Sequence, residues 1–488
     1  MNPLTLTDGY KLDHRRQYPA HTEVVYSNWT ARKSRRNDIQ EVVFFGLQYF
    51  IKKYLLEEFE HNFFKKPKHE ILYTYARRVN NYLGENQVGI EHIAALHDLG
   101  YLPICIKALP EGSSVPVKVP MFVLYNTLPE FFWLTNYFET LLSTTVWLPC
   151  TSATLAKKYR EILDRYAAET SSVPEFVDWQ GHDFSMRGMA GLEAAMMSAA
   201  GHLLSFTGTD TLPAIDFLEK YYQADSELDI VGGSIAATEH SVMSMGSHAG
   251  EQETFRRLIT DVYPGGMVSV VSDTWDLWKV LDEYLPALKH EVLAREGKLV
   301  IRPDSGDPAD ILCGNPEGSY ESEKKGVIER LWDIFGGTVN EKGFKELDPH
   351  IGAIYGDSIT LERAEHICAR LKAKGFASTN VVLGIGSFTY QYNTRDTFGF
   401  AMKATYGEVA GKGREIFKDP ITDNGTKKSA KGLLRVEETA GGFILKEQVS
   451  WEEEGGAMRK VYEDGKILLD EKLSDIRARL KGKVKVAR

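Results

Sequence analysis

Seven short clusters of glycine and polar residues recur through the middle of the chain. They are Gly181-His-Asp-Phe184, Gly208-Thr-Asp-Thr211, Glu239-His240, Ser272-Asp273, Arg302-Pro-Asp304, Gly356-Asp357 and Gly384-Ile-Gly386. Several have the chemistry of phosphate handling. Gly356-Asp357-Ser358-Ile359-Thr360 follows an apolar run and opens a helical pattern, and the free N–H groups and dipole of a helix start can hold an anion. Gly384-Ile-Gly386-Ser387 follows the next run, where glycine permits close backbone approach. Arg187, Arg302, Arg395 and Lys403 could supply charge-assisted contacts to phosphate, although each residue type is as common in surface ion pairs. Asp304 and Asp357 suit a magnesium-bound pyrophosphate or a ribose diol, because magnesium takes few carboxylates and completes its shell with substrate oxygens. His240 beside Glu239 can serve as a base, as a nucleophile or as a satisfied structural histidine. Phe184 and Tyr10 sit in polar contexts suited to stacking a flat ring, with core packing as the plainer alternative.

Other chemistries are excluded. The chain has no GxxxxGK[ST] P-loop, GxSxG elbow or HExxH, and Gly384-Ile-Gly386 lacks the third glycine of a dinucleotide fingerprint. Any use of ATP therefore takes another route. Four widely spaced cysteines without a CxxC pair argue against a zinc ribbon, a redox motif or a disulfide scaffold, and fit a reducing compartment. A net charge of −10 argues against a broad nucleic-acid surface. No apolar run approaches the ~18 residues that a bilayer requires, and no secretory signal is visible. A cytoplasmic location is expected.

The elements that must position these clusters are legible in outline. Each cluster follows a strand-like segment, in order PEFVDW, HLLSF, GSIAAT, MVSVV, KLVI, HIGAIY and NVVLGI. Helical patterns over 188–201, 212–222, 276–285 and 360–374 lie between them. Strands alternating with helices predict parallel βα units, and seven units suit an irregular, closed or nearly closed barrel. Strand-end loops of such a barrel gather at one rim, where reactive groups sit. A single aspartate after a strand often does no more than cap the next helix; recurrence at seven strand ends is not required by capping. The stretch CGNPEGSYESEKKG is read as an inserted loop. Outside the barrel, 101–127 and the text after 400 read as short strands, and 128–170 as helix. The expected division is α/β: a barrel over 171–390, and a mixed α+β domain built from both ends, 1–170 and 391–488.

The residues then converge on a resemblance. TDGYKLDHRRQYP (7–19), HDFSMRG (182–188), FTGTDT (206–211), ATEHS (237–241), VSVVSDTWD (268–276), IRPDSGDP (301–308), YGDSIT (355–360) and IFKDP (416–420) resemble, in order, the nicotinamide phosphoribosyltransferase family. The resemblance implies a type II phosphoribosyltransferase, a homodimer making nicotinamide mononucleotide and pyrophosphate from nicotinamide and phosphoribosyl pyrophosphate. It implies that Phe184 and Tyr10 sandwich the pyridine ring, with Tyr10 arriving from the second subunit. Asp210 would accept from the carboxamide NH2, with Arg302 near the amide oxygen. Asp304 and Asp357 would hold ribose and magnesium pyrophosphate. Arg187 and the loops at Gly356, Gly384 and Gly386 would hold the 5′-phosphate, with Asp8, Arg395 and Lys403 of the other subunit closing the site. His240 would be the autophosphorylated histidine that couples ATP, as co-substrate, to synthesis. Two departures stand out: bulky Phe388 follows Gly384-Ile-Gly-Ser, and Ala401 stands where relatives can offer a serine. The alternatives are a nicotinate phosphoribosyltransferase, or a non-catalytic binding or signalling protein on the same fold. The intact set Phe184, Asp210, His240, Arg302 and Asp304 speaks against the last.

Overall fold

Seven parallel strands carry the polar clusters in the computed structural model, which describes residues 1–356, 358–418 and 430–482. In chain order they are Gly181–Asp183, Gly208–Thr209, Ala236–Ala237, Gly265–Val271, Glu296–Arg302, Ile351–Tyr355 and Val381–Ile385. The last pairs with the first, Gly384 opposite His182 and Ile385 opposite Asp183. Every other chain neighbour pairs in turn except the second with the third. That gap is spanned by an isolated parallel bridge between Gly208 and Gly233, with Thr209 N–H donating to Gly233 O and Gly233 N–H to Thr207 O. The curled sheet is thus an irregular βα barrel. Its two long strands bury one face through Val268, Val270, Leu299 and Ile301, as expected where helices cover a parallel sheet, while the alternate residues Ser269, Lys298 and Val300 face the barrel interior.

Three expectations about elements are corrected. PEFVDW is not a strand: Pro174–Phe176 forms a 3-10 turn and Val177–Gln180 a helical turn, since proline suits a first helical position. HLLSF closes the helix Leu192–His202 and turns into the short strand behind it. Its apolar run is buried because it is core, and burial alone does not distinguish strand from helix end. The stretch read as a loop is partly helical, because Glu321–Phe335 begins within it. Glu323 there accepts from the N–H groups of Tyr320 and Ser319, satisfying the helix start.

The chain divides into two units, one of residues 1–154, 217–224 and 393–488, the other of 155–216 and 225–392. The first division falls inside the helix Glu139–Thr170. The first unit is built on an antiparallel sheet in the order Lys412–Glu415, Phe400–Val409, Thr22–Ala31, Pro120–Asn126, Ile104–Ala108, Arg459–Glu463 and Lys466–Ile467. Strands from the two chain ends lie side by side, Trp29 opposite Met402. Buried Trp29 stacks with Phe122 and Phe400 at 6.0 and 5.5 Å, and large rings of this kind contribute most of a sheet's apolar burial. Among the described residues no helix is long and apolar enough to cross a membrane, and all four cysteines are free and buried.

Candidate active site

A cavity of about 300 Å³ occupies the barrel. It is mostly apolar, with a few polar groups gathered at the strand ends, the usual character of a small-ligand site. Phe184, His182, Asp210, Ser234 and Arg302 line it together with Ala237, Ser269, Val300 and Ala353. Deeper in, Lys298 also lines it, and burial holds its amine below the ordinary lysine range.

Four of the expected residues meet at this end. The Arg302 guanidinium lies 5.4 Å from the Phe184 ring centroid and also chelates Asp304, at 3.3 and 3.2 Å. Asp210 sits on the loop after Gly208–Thr209, with its N–H donating to Asp183 O at 2.9 Å. Its Oδ1 accepts from His182 Nε2 at 2.8 Å and from Ser234 Oγ at 2.7 Å. Burial alone would raise the Asp210 pKa. The donors His182 and Ser234, and the charges of His182 and Arg302, outweigh it and hold the carboxyl below its ordinary value.

His240 opens the helix His240–Met245, with Glu239 as its N-cap residue. Its Nδ1 lies 3.1 Å from Thr274 Oγ1, and its Nε2 lies 3.7 Å from Asp304 Oδ2. The imidazole is half exposed. Asp304 is held by the backbone: its own N–H, and the N–H and Oγ of Ser305, donate to Asp273 Oδ2 at 2.9, 2.8 and 2.6 Å. The other oxygen, Asp273 Oδ1, is buried without a hydrogen-bond partner among the described residues. The charges of Asp273 and Asp304 add to burial in raising the Tyr355 hydroxyl above its ordinary range.

The glycines have distinct duties. A Cβ on Gly356 would fall 1.7 Å from Asp304 Oδ1, so this glycine lets the carboxylate approach the backbone. Gly384 lies inside its strand, where a Cβ would come within 2.6 Å of Tyr355 O; its smallness serves strand packing. Gly386 precedes the helical turn Ser387–Tyr390. Gly188 abuts Ser387, so the Arg187 loop and the Gly386 loop are in contact. Arg187 is exposed and pairs with no carboxylate among the described residues. The expected anion-binding helix start lies later than the glycine: the helix is Leu361–Ala373, with Thr360 Oγ1 already accepting from Arg363 N–H. Asp357 lies outside the described residues, as do Asp419 and Pro420 of the IFKDP block.

Asp8, Tyr10, Arg395 and Lys403 belong to the other unit. Asp8 accepts from Thr140 Oγ1 at 2.9 Å, Arg395 pairs with Asp396 at 3.2 Å and Lys403 with Glu139 at 3.6 Å. Tyr10 is 60% exposed, a high value for a large ring. Residue types alone do not single out His182, Asp183, Ser234 and Asp273 as site residues. Asp183 is fully buried and accepts four hydrogen bonds, from Ser185 N–H and Oγ and from Thr209 and Thr211 Oγ1. A charged residue in the last position of a strand is the one signal for it in the residue order.

Comparison with known proteins gives a single answer. The family model described as the nicotinate phosphoribosyltransferase (NAPRTase) family matches residues 179–466, and the N-terminal domain model of nicotinamide phosphoribosyltransferase matches 2–106. The chain is 53% identical to a nicotinamide phosphoribosyltransferase of Acinetobacter baylyi, over 98% of this chain and 97% of that one. It is 38% identical to one of Mycoplasma pneumoniae, over 88% and 94%. Among solved structures, human nicotinic acid phosphoribosyltransferase superposes with a TM-score of 0.57 at 15% identity, covering 98% of this chain and 93% of that one. A nicotinate-nucleotide pyrophosphorylase of Pyrococcus furiosus does so with 0.56 at 13%, over 99% and 95%. At such identities the superpositions speak for the fold.

Proposed function

This chain belongs to the nicotinate phosphoribosyltransferase family and carries the N-terminal domain of the nicotinamide enzymes, and we propose that it joins nicotinamide to phosphoribosyl pyrophosphate, releasing pyrophosphate. The observation that carries the choice of base is Asp210, a carboxylate that lines the same cavity as Phe184 and is held below its ordinary pKa. A carboxylate accepts from an amide NH2 and meets a substrate carboxylate as a like charge. In a partly desolvated site that contrast is ample for the ~4 kcal/mol that a thousandfold preference takes.

The reaction asks little acid–base work of the protein. The pyridine nitrogen carries no proton, and its lone pair forms the new bond to C1′ as the C1′–oxygen bond to pyrophosphate breaks. Positive charge develops on the ribose and negative charge on the leaving group. Catalysis is therefore positioning plus electrostatic stabilisation. Phe184 stacks the base, and Arg302 borders the ring where an amide oxygen can accept from it. Arg187, which pairs with no carboxylate among the described residues and whose loop meets the Gly386 loop, is suited to the 5′-phosphate. Asp304 would take the ribose diol or the pyrophosphate end. Magnesium fits this donor set: Asp304 and the unpartnered Asp273 Oδ1 are hard oxygens, and phosphate oxygens would complete the shell. Bound there, the ion would neutralise charge on the leaving pyrophosphate.

Two further elements of the reading concern assembly and energy. Tyr10, Asp8, Arg395 and Lys403 would complete the site from a second copy, making the working unit a homodimer. Half-exposed His240, 3.7 Å from Asp304, would accept phosphate from ATP and couple its hydrolysis to synthesis. His240→Ala should abolish ATP hydrolysis and leave some ATP-independent synthesis; an undiminished ATPase in the folded variant assigns His240 a structural duty instead. The deciding experiment is product analysis with phosphoribosyl pyrophosphate, magnesium and each base in turn. Nicotinamide should be preferred by about a thousandfold in kcat/KM, and Asp210→Asn should shift that ratio toward nicotinate. A wild-type preference for nicotinate would overturn the assignment.

A further inference from the structure

Asp210 accepts two hydrogen bonds on one oxygen and none on the other. His182 Nε2 and Ser234 Oγ both donate to Oδ1, while Oδ2 has no partner among the described residues. The carboxyl is nonetheless 43% exposed, so its open part faces solvent and cavity. The two donors come from different strand-end segments, the Gly181–Asp183 strand and the stretch before Ala236–Ala237. Rotation of the carboxylate about its Cβ–Cγ bond would break both bonds at once, and bonds to an ionised acceptor are the stronger kind.

Everything around this torsion is already fixed. Asp183 ties down Thr209 and Thr211 on either side of Asp210 and receives Asp210 N–H on its backbone oxygen. The His182 ring has its own seat. Its centroid lies 4.4 Å from that of Phe184, and its Nδ1 lies over Gly208, where a Cβ would approach within 2.6 Å. One histidine thus touches both the stacking ring and the hydrogen-bonding carboxylate.

We infer that His182 and Ser234 are positioning residues that aim the free Oδ2 of Asp210 at the substrate amide, and that they, with Asp210, set the discrimination between amide and carboxylate bases. The inference rests on the proposed function and adds the residues that control its selectivity. Neither side chain reacts: their bonds hold the plane of the carboxylate and so the direction in which its free oxygen is presented. An Asp210 left to rotate would still carry its charge but would meet the amide in fewer of its orientations.

The test is the ratio of kcat/KM for nicotinamide to that for nicotinate in His182→Phe, His182→Gln, Ser234→Ala and Gly208→Ala, each also made in an Asp210→Asn background. His182→Phe keeps a flat ring beside Phe184 and removes the donor; it should lower the ratio about tenfold, mainly through a higher nicotinamide KM. His182→Gln restores an N–H and should recover most of the loss. Ser234→Ala should lower the ratio about threefold, the effect of one of two donors. Gly208→Ala displaces the imidazole and should act in the same direction. In the Asp210→Asn background the His182→Phe effect should shrink to within about twofold, which a general packing role would not produce. An unchanged ratio in folded His182→Phe and Ser234→Ala proteins, or an undiminished effect without the Asp210 carboxylate, overturns the inference while the wild-type nicotinamide preference stands. A wild-type protein that turns over neither base overturns the proposed function and this inference with it.

Discussion

The two sides of the barrel rim are built in opposite ways. Around Phe184 and Asp210 most polar atoms are paired inside the protein: Asp183 takes four donors and Asp210 Oδ1 takes two, which leaves Asp210 Oδ2 as the open acceptor among the described residues. Around Asp304 and His240 the protein leaves groups unsatisfied. Asp304 is paired with Arg302, but His240 is half exposed and Asp273 Oδ1 is buried without a partner among the described residues. The difference follows from what each side would receive. A neutral flat base offers little binding energy, so its site must be preorganised at no further cost on binding. A ribose carrying both a phosphate and a pyrophosphate brings a heavy charge and its own strong partners, and groups held in reserve are satisfied when it arrives.

This contrast can be broken by substitution. The largest effect is expected on the charged side. Asp304→Asn keeps the shape, removes the charge proposed to act on the leaving group and weakens the hold on Arg302; kcat/KM should fall about a thousandfold with either base. Steady-state kinetics would show it, and a loss under about tenfold would move the charge handling elsewhere. On the base side Phe184→Ala should raise the nicotinamide KM by roughly ten- to a hundredfold, the range for losing an aromatic stacking partner worth ~1–3 kcal/mol, while the KM for phosphoribosyl pyrophosphate stays near wild type. A rise in both would show that the sides are coupled through Arg302.

A smaller effect distinguishes a carboxylate held for a ligand from one held by the fold. Depressed Asp210 contributes stability above its unfolded pKa of ~3.9. That contribution is lost only as pH falls through its lower folded value, so selectivity should be flat from about pH 6 to 8. Glu111, in the other unit, is opposite in sign. Burial, aided by the Glu471 charge and opposed by the Gln48 and Gly46 N–H groups, pushes it up to about 7. Between the unfolded value of about 4.3 and the folded value of about 7 the native state holds the extra proton, so stability falls as pH rises through that window and levels off above it. Glu111→Gln should flatten this slope. Thermal unfolding followed from about pH 5 to 8 should show the variant losing roughly a few degrees less than wild type, at about one degree per kcal/mol in a chain of this size. Parallel curves would place the titration elsewhere.

Much of the site is legible in the residue order alone. Phe184, Arg302, Asp304 and His240 sit at strand ends, and the recurrence of polar clusters after apolar runs marks such ends whatever their exact bounds. The second and third strands are harder. Gly208–Thr209 and Ala236–Ala237 are two residues each, too short for an alternating pattern, and the buried run HLLSF beside one of them draws the assignment away. His182 falls in one of the polar clusters and Ser234 in none, and their shared contact with Asp210 is invisible in the residue order because they lie 28 and 24 residues from it.

Residue order fixes the alternation of strands and helices, the gathering of polar groups at one barrel end and the residue types available for phosphate and base. These follow from local periodicity and from the right-handed βα connection, which need no distant contact. Which of those groups touch is settled by contacts between segments far apart in the chain. The pairing of His182 with Gly208 and the bridge from Gly208 to Gly233 bring three separate segments within hydrogen-bond reach. Strand register, set by burial across the whole barrel, is what puts two donors on one oxygen of Asp210.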